Sequence, residues 1–353
     1  MKSKFDYMSI SERTLPLQGF RVLLMLGIVC LHVYQYPVFG SGRELVSFFF
    51  VISGFLYRDK LPWNAYLLKK AISVFPVYWI VLFLSEVICY LRGGNNLTWD
   101  IIPHVLLLQS WVPDLWFSFA YVGVAWFVSS LMFCYVVSHL VYRYVSRAST
   151  RNCLLGILIL SFFVCYTDEC RVDFYNQRYA FVEWFTYVNP VLCMLEYLMG
   201  MLLWNVIKNV KYVHLKAKYE PLILVLLAIY FYCIYANGGG GGKLSMAHLC
   251  MIGLVYKFGS RIFNGLFANK YIVWLSSYVM FVYMSHQSLT INCFRSRIDS
   301  NVVLVVLCFL LGILFGMFYN RFVSPKMKRL CGKNRKDSIC KLGKIADRIV
   351  EIL

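Results

Sequence analysis

Long apolar runs alternate with short polar segments along almost the whole chain. A helix needs about 20 apolar residues to cross a bilayer core, and roughly ten runs approach that length. We predict spans at 16 to 38, 45 to 57, 71 to 91, 121 to 142, 153 to 167, 184 to 206, 220 to 236, 245 to 263, 271 to 292 and 302 to 320. The expected fold class is therefore all-α, a polytopic membrane protein of about ten transmembrane helices.

One apolar segment does not fit this pattern. The sequence PHVLLLQSWVPDLWFSF, at 103 to 119, contains Pro103, Pro113 and Asp114. Proline removes a helical hydrogen bond and clashes with the preceding turn, and irregular backbone at membrane depth must be sheltered by protein. We predict a re-entrant or interfacial segment here, not a span.

The basic residues orient the predicted helices. Apart from Arg21, 27 lysines and arginines fall on one side of the predicted membrane and seven on the other. Because these residues concentrate on the cytoplasmic side, both termini are predicted to be cytoplasmic. A single miscounted helix would exchange the sides of all later loops and remove the asymmetry. The glycine run NGGGGGK, 237 to 243, then becomes a flexible external loop.

This topology divides the chain into a transmembrane domain, 1 to 320, and a basic cytoplasmic tail, 321 to 353. No small-residue cleavage site follows the first apolar run, so we expect that run to remain as a helix instead of acting as a signal peptide.

Composition excludes several function classes. The chain is 60% hydrophobic and only 15% charged, which is too apolar for a soluble domain. Its net charge of +18 comes from short basic clusters between apolar runs, so we expect no nucleic-acid partner. Most of the 13 cysteines lie inside apolar runs without CxxC spacing, so neither a disulfide framework nor a metal site is predicted.

Two ionisable residues lie within the first predicted helix, GFRVLLMLGIVCLH. Arg21 and His32 are eleven residues apart, about three helical turns, so they share one face and lie about 16 Å apart along it. A charge in hydrocarbon is costly unless it is paired or hydrated. We expect both side chains to face the bundle interior or a water-filled cavity. The alternative is a snorkelling arginine and a structural histidine.

A second histidine is predicted at a similar depth. His286, in SSYVMFVYMSHQSLT, lies about 15 residues into a helix that also begins on the cytoplasmic side. The two imidazoles therefore suggest a polar chamber. The remaining intramembrane candidates are interpreted as structural or boundary residues; these are Glu86, His139, Glu196 and His248. Ser53 and Gly54 are interpreted as sites of close helix packing.

Several motifs, in this order, resemble those of the membrane-bound acyltransferase-3 family. They are the arginine and histidine of the first helix, FFFVISGFL at 48 to 56, YLLKKAISVFPVY at 66 to 78, AWFVSSLMFCY at 125 to 135, EYLMGMLL at 196 to 203 and VYMSHQSL at 282 to 289. The resemblance extends over essentially the whole chain.

The resemblance implies an O-acyltransferase that takes an acyl group, commonly acetyl, from cytoplasmic acyl-CoA. The acceptor would be a glycan or lipid-linked sugar, and the protein would span the inner membrane of a bacterium among its lipids. His32 would be catalytic with His286 in the same site, and Arg21 would bind the donor. Lys69 and Lys70 would attract the CoA phosphates.

Three departures from the family pattern qualify these roles. The family often has aspartate where this chain has Gln18, and many members have arginines where Lys69 and Lys70 stand. Lysine lacks the bidentate geometry of arginine, so ordinary flanking of a membrane helix is an alternative role for this pair. Some members also carry a glutamate after the tryptophan of the next motif, which the segment 126 to 131 lacks.

The sequence is also compatible with two other functions. A transporter would use the intramembrane histidines with Glu86 or Glu196 as a proton relay, although no internal repeat supports it. An assembly partner of a polysaccharide machine would use none of these side chains chemically. No oligomeric state is predicted.

Overall fold

The protein is a bundle of helices. The computed structural model describes residues 10–35, 42–58, 61–94, 98–174, 179–236 and 244–326. Its α-helices, in chain order, are α1 (Ile10–Tyr34), α2 (Gly42–Phe55), α3 (Trp63–Leu91), α4 (Ile101–Val105), α5 (Leu115–Phe119), α6 (Ala125–Arg147), α7 (Thr150–Phe174), α8 (Tyr179–Glu183), α9 (Pro190–Ile207), α10 (Glu220–Ala236), α11 (Ser245–Lys257), α12 (Arg261–Phe267), α13 (Lys270–Ser276), α14 (Val279–Ser285), α15 (Asn292–Phe294) and α16 (Asn301–Phe318).

Short irregular elements connect these helices. The π-helical turns are Trp184–Val188, His286–Ile291 and Tyr319–Val323, and the 3₁₀ turns are Gln109–Trp111 and Ala217–Tyr219. Strands β1 (Val213–His214) and β2 (Phe258–Gly259) form a small parallel pair.

Seven helical segments among the described residues are long and apolar enough to cross a membrane. They are Glu12–Tyr34, Trp63–Leu91, Ala125–Arg147, Thr150–Thr167, Tyr179–Ile207, Ala217–Ala236 and Asn301–Lys326. The all-α membrane class is thus confirmed.

Three predicted spans do not form single helices of the roughly 20 residues that cross a bilayer core. Helix α2 has 14 residues and α11 has 13, while the run at 271 to 292 is divided among α13, α14 and a π-helical turn. The total of ten spans and the cytoplasmic termini stay predictions.

The helices differ in how much of their surface is buried. Helices α1 and α9 are the most enclosed of the long helices, whereas α7, α10 and α16 expose large apolar side chains such as Phe162, Tyr232 and Val302. A helix that is apolar on all sides suits a lipid-facing position. A functional site inside the bundle is therefore expected around the enclosed helices.

Helix α2 crosses α9 at very close range. A methyl group added at Gly54 would lie 1.8 Å from the Tyr197 carbonyl oxygen, and one added at Gly200 would lie 2.0 Å from that of Val51. Small residues allow membrane helices to approach closely and gain van der Waals contact. This is the close packing that the sequence predicts for Gly54, and it fixes the position of α2 against the centre of the bundle.

The segment at 103 to 119 is broken, as its prolines predict. It comprises parts of α4, the turn Gln109–Trp111 and α5, and its residues Gln109, Ser110 and Ser118 are buried. The glycine run at 237 to 243 and residues 327–353 of the predicted tail lie outside the described residues. Helical structure continues across residue 320 as far as Lys326, and the division into two domains stays a prediction.

Replacing Gly54 should loosen the crossing of α2 and α9. We expect Gly54→Ala to destabilise the protein by roughly 1–3 kcal/mol, because the helices must separate to admit the methyl group. The control is Gly253→Ala in α11, where an added methyl group meets nothing within 4 Å. Thermal unfolding in detergent measures both variants, and equal midpoints would contradict the packing described for Gly54.

Candidate functional site

Two buried histidines are in direct contact inside the bundle. Nδ1 of His32 lies 2.8 Å from Nε2 of His286, and the ring centroids are 4.9 Å apart. His286 is fully buried and His32 is half-buried. The two imidazoles, predicted to lie at a similar depth, are therefore within hydrogen-bonding distance of each other.

The backbone around His286 determines which nitrogen carries each proton. Nδ1 of His286 lies 2.7 Å from the carbonyl oxygen of Tyr283, and a carbonyl only accepts hydrogen bonds. With both rings neutral, Nδ1 of His286 is the donor and its Nε2 must accept from Nδ1 of His32. The assignment leaves Nε2 of His32 with its lone pair available as a base.

A local irregularity in the helix places His286. Helix α14 ends at Ser285 and continues as the π-helical turn His286–Ile291, an element that is frequent at functional sites. Helix α16 packs tightly behind it, since a methyl group at Gly312 would lie 2.7 Å from the Cα of Val282. Close packing and the changed helical pitch together turn His286 toward α1.

A cavity of about 820 Å³ opens among α1, α2, α3, α6, α14 and the π-helical turn Tyr319–Val323 that follows α16. Three of the sequence-predicted residues line it, namely Arg21, Lys69 and Lys70. Among the described residues its lining contains these three cations and no carboxylate. The remaining lining is largely apolar, so the cavity suits a ligand that combines anionic groups with an apolar part.

Arg21 retains hydrogen-bonding capacity toward a ligand. Its Nη1 donates to Oε1 of Gln18 over 2.9 Å, and its guanidinium carbon lies 5.8 Å from the ring centroid of Phe49. Its Nε is buried and has no hydrogen-bond partner among the described residues. An unsatisfied buried donor on a cation is costly, and an anion would satisfy it. Gln18 supplies the acceptor that an aspartate would have offered, without its negative charge.

The two lysines differ in their surroundings. Lys69 is exposed, whereas Lys70 is half-buried with its Nζ 4.0 Å from the ring centroid of Tyr135 and 5.5 Å from that of Tyr66. Aromatic faces stabilise a cation without neutralising its charge. Lys70 therefore keeps its positive charge directed at the cavity that Arg21 lines. Sequence analysis missed Tyr135, although it closes the quoted segment AWFVSSLMFCY.

The histidine pair and the cavity are neighbours but are not continuous. Neither His32 nor His286, both in the described part of the chain, lines the cavity. Tyr283 links the two features, because its side chain lines the cavity and lies 6.0 Å, between centroids, from the His286 ring. Sequence analysis missed this role of Tyr283, since it depends on how α14 packs against the other cavity walls.

The other intramembrane candidates form separate contacts. Glu196 accepts hydrogen bonds from Ser47 over 2.5 Å and from Ser245 over 3.1 Å. Nδ1 of His248 lies 2.9 Å from the Tyr230 hydroxyl oxygen. Nδ1 of His139 lies 3.4 Å from the Tyr57 hydroxyl oxygen.

Among the described residues that line the cavity, none is one of these three candidates or Glu86. Nor does any group of three or more histidine, cysteine, aspartate or glutamate side chains in the ranges described lie suitably for a metal ion.

Comparisons with known proteins cover most of the chain. A family model described as "Acyltransferase domain" matches residues 17–321. The chain is also 25% identical over 217 residues to a protein named "Acyltransferase MdmB" from Streptomyces mycarofaciens, an alignment covering 53% of this chain and 56% of that protein. The chain thus spans about half the length of this curated relative. No solved structure matches the chain.

The proton positions of the histidine pair can be tested by NMR. We expect ¹⁵N spectra of histidine-labelled protein in nanodiscs at neutral pH to show both His32 and His286 protonated at Nδ1 and unprotonated at Nε2. His32→Gln and His286→Gln variants assign the two signals among the six histidines. A His32 ring protonated at Nε2 would contradict the arrangement.

Proposed function

The chain belongs to the acyltransferase-3 family, and we propose that it is an integral-membrane O-acyltransferase that uses the His32 and His286 pair. The match over residues 17–321 confirms the resemblance indicated by the motifs. The observation that carries the proposal is the hydrogen-bonded histidine pair, beside a cavity lined by cations, because base and anion site are the two elements that this reaction needs.

His32 acts as the general base in the proposed reaction. Its Nε2 takes the proton from the acceptor hydroxyl as the hydroxyl oxygen attacks the thioester carbonyl, and an ester bond forms while the carbon–sulfur bond breaks. The proton then passes from His32 to the departing CoA thiolate. The reaction is balanced without an oxidant, a reductant or a metal ion.

His286 supports His32 instead of reacting itself. Both of its nitrogens are engaged, one with the Tyr283 carbonyl and one with His32, so no lone pair remains for the acceptor hydroxyl. We therefore assign His286 a positioning role within the site that the sequence predicted as catalytic. It fixes the His32 ring and stabilises the imidazolium formed when Nε2 is protonated.

Arg21, Lys69 and Lys70 bind the donor in this proposal. Acyl-CoA carries phosphates and a long apolar and amide arm, which agrees with a cavity that has three cations and a largely apolar lining. Arg21 offers its unsatisfied Nε to a donor oxygen by a charge-assisted hydrogen bond. The donor reaches this cavity from the cytoplasm, and the acceptor reaches His32 from the opposite side of the membrane.

The finer assignments follow the family expectations. We propose acetyl as the transferred group, a cell-surface or lipid-linked glycan as the acceptor, and the inner membrane of a bacterium as the location. The named relative is an acyltransferase of Streptomyces mycarofaciens, which agrees with a bacterial setting.

The histidine pair can be tested by transfer of labelled acetyl groups from acetyl-CoA to surface glycan extracted from the host cells. We expect His32→Ala to lower the rate by about 10²–10⁴-fold, because the base is lost. His286→Leu should lower kcat on the order of 10²-fold through misorientation of His32, with the donor KM unchanged. His286→Gln should restore part of kcat, since its amide oxygen can accept from His32.

His139→Ala is the matched control for the histidine variants, because His139 is another intramembrane histidine outside the pair, and it should retain wild-type transfer. Mass spectrometry of the glycan gives the added group directly. Undiminished transfer by a folded His32→Ala protein would contradict the catalytic assignment. Glycan or solute flux without acyl-CoA consumption would support a transporter instead.

The donor site can be tested separately by equilibrium binding of CoA to the purified protein. We expect Arg21→Gln to weaken CoA binding roughly 10- to 100-fold, because one charge-assisted hydrogen bond is lost. High salt should narrow the difference in CoA affinity between the wild type and this variant. Arg143→Gln removes an exposed arginine of α6 and should bind CoA normally. Equal affinities for the two variants would show that the cavity is not the donor site.

A further inference from the structure

Four buried side chains in the cavity lining, three of them aromatic, include Tyr283, whose ring lies beside that of His286. Val46, Phe49, Phe127 and Tyr283 line the cavity, and each is less than a tenth exposed. We call these four residues the aromatic collar. Phe127 is its centre, since its ring lies 5.3 Å from that of Tyr283 and 6.3 Å from that of Phe49, measured between centroids.

The collar lies between the donor cations and the histidines. Helices α1 and α2 run in opposite directions, because Gly42 packs beside Leu31 while Phe48 packs beside Phe20. Arg21 lies beside Phe49, and Val46 is almost one turn further along α2, about 4.5 Å toward the level of His32.

His32 itself is about 16 Å from Arg21 along α1. Val46 therefore lies at a level between Arg21 and His32, and Tyr283 lies beside His286.

The collar is held firmly in place. The Tyr283 hydroxyl donates to the Val124 carbonyl oxygen over 2.8 Å, and the Tyr283 carbonyl accepts the hydrogen bond that orients His286. On the side away from the cavity, Phe127 packs against Phe50 with the centroids 4.8 Å apart. A shift of the Tyr283 backbone would thus disturb the histidine pair, so the collar has little freedom to widen without loss of the site.

We propose that the aromatic collar selects the acyl group by size, admitting short acyl chains to His32 and excluding long ones, with Phe127 setting the limit. This inference rests on the proposed function and names the substrate class of the same site. Because the cavity is not continuous with the histidine pair, an acyl chain that approaches His32 must displace packed collar side chains, and a longer chain must displace more of them. One methylene in an apolar pocket changes discrimination roughly tenfold or more.

The proposal is tested with acetyl-, butyryl- and octanoyl-CoA as donors, and by equilibrium binding of unreactive S-ethyl- and S-octyl-CoA thioethers. Phe127→Leu removes an aromatic ring from the collar, whereas Phe50→Leu removes one from behind it. Val46→Ala widens the collar from α2 and serves as a second variant if Phe127→Leu does not fold.

We expect the wild type to have a higher kcat/KM for acetyl-CoA than for octanoyl-CoA. Each methylene that the collar excludes should lower kcat/KM by at least about tenfold. In Phe127→Leu or Val46→Ala, the octanoyl-to-acetyl ratio of kcat/KM should rise by an order of magnitude or more. The S-octyl-to-S-ethyl affinity ratio should rise in parallel. Phe50→Leu should keep both wild-type ratios.

Two results overturn the proposal. One is a wild type that uses octanoyl-CoA as readily as acetyl-CoA. The other is a pair of folded collar variants whose transfer and binding ratios both equal those of the wild type. Failure of the proposed function is distinct from either, because the wild type would then transfer no acyl group from any of the three donors.

Discussion

An imidazole N–H placed in an apolar bundle must have an acceptor, and this requirement governs the site. The Tyr283 carbonyl accepts from His286, which in turn accepts from His32. A buried polar group without a partner costs on the order of 1–3 kcal/mol, so the chain of hydrogen bonds ties α1 to α14 and fixes both rings. The same constraint leaves the Nε2 lone pair of His32 outside this chain of hydrogen bonds.

The structure separates the charge of Arg21 from the base His32 by about 16 Å along α1. Arg21, Lys69 and Lys70 line a cavity beside α3, while the histidines lie beyond the aromatic collar. In our proposal, the donor phosphates stay with these cations while only the uncharged acyl end approaches His32. In our proposal the three-turn spacing on α1 therefore matches an extended donor, and the collar determines which acyl group completes the path.

Regular helix geometry made part of the site predictable. His32 and His286 lie at similar distances from predicted helix starts on one side of the membrane, so a shared depth follows from the rise per residue. The direct contact between His32 and His286 depends on packing between helices far apart in the chain, and neither it nor the π-helical turn follows from local sequence. The bonds of Gln18 to Arg21 and of His286 to the Tyr283 carbonyl are local, each spanning three residues of one helical segment. Helix α11, with 13 residues in a run predicted at 245 to 263, shows that an apolar run can be longer than the helix it contains.

The donor path can be examined in a cryo-EM structure of the protein in nanodiscs with S-ethyl-CoA, an unreactive thioether. We expect CoA phosphates within hydrogen-bonding distance of Arg21 and the lysines, with the thioether sulfur and ethyl group at the aromatic collar on the side of His32. Density for the nucleotide elsewhere on the protein, or an ethyl group directed into the lipid away from the histidine pair, would contradict it.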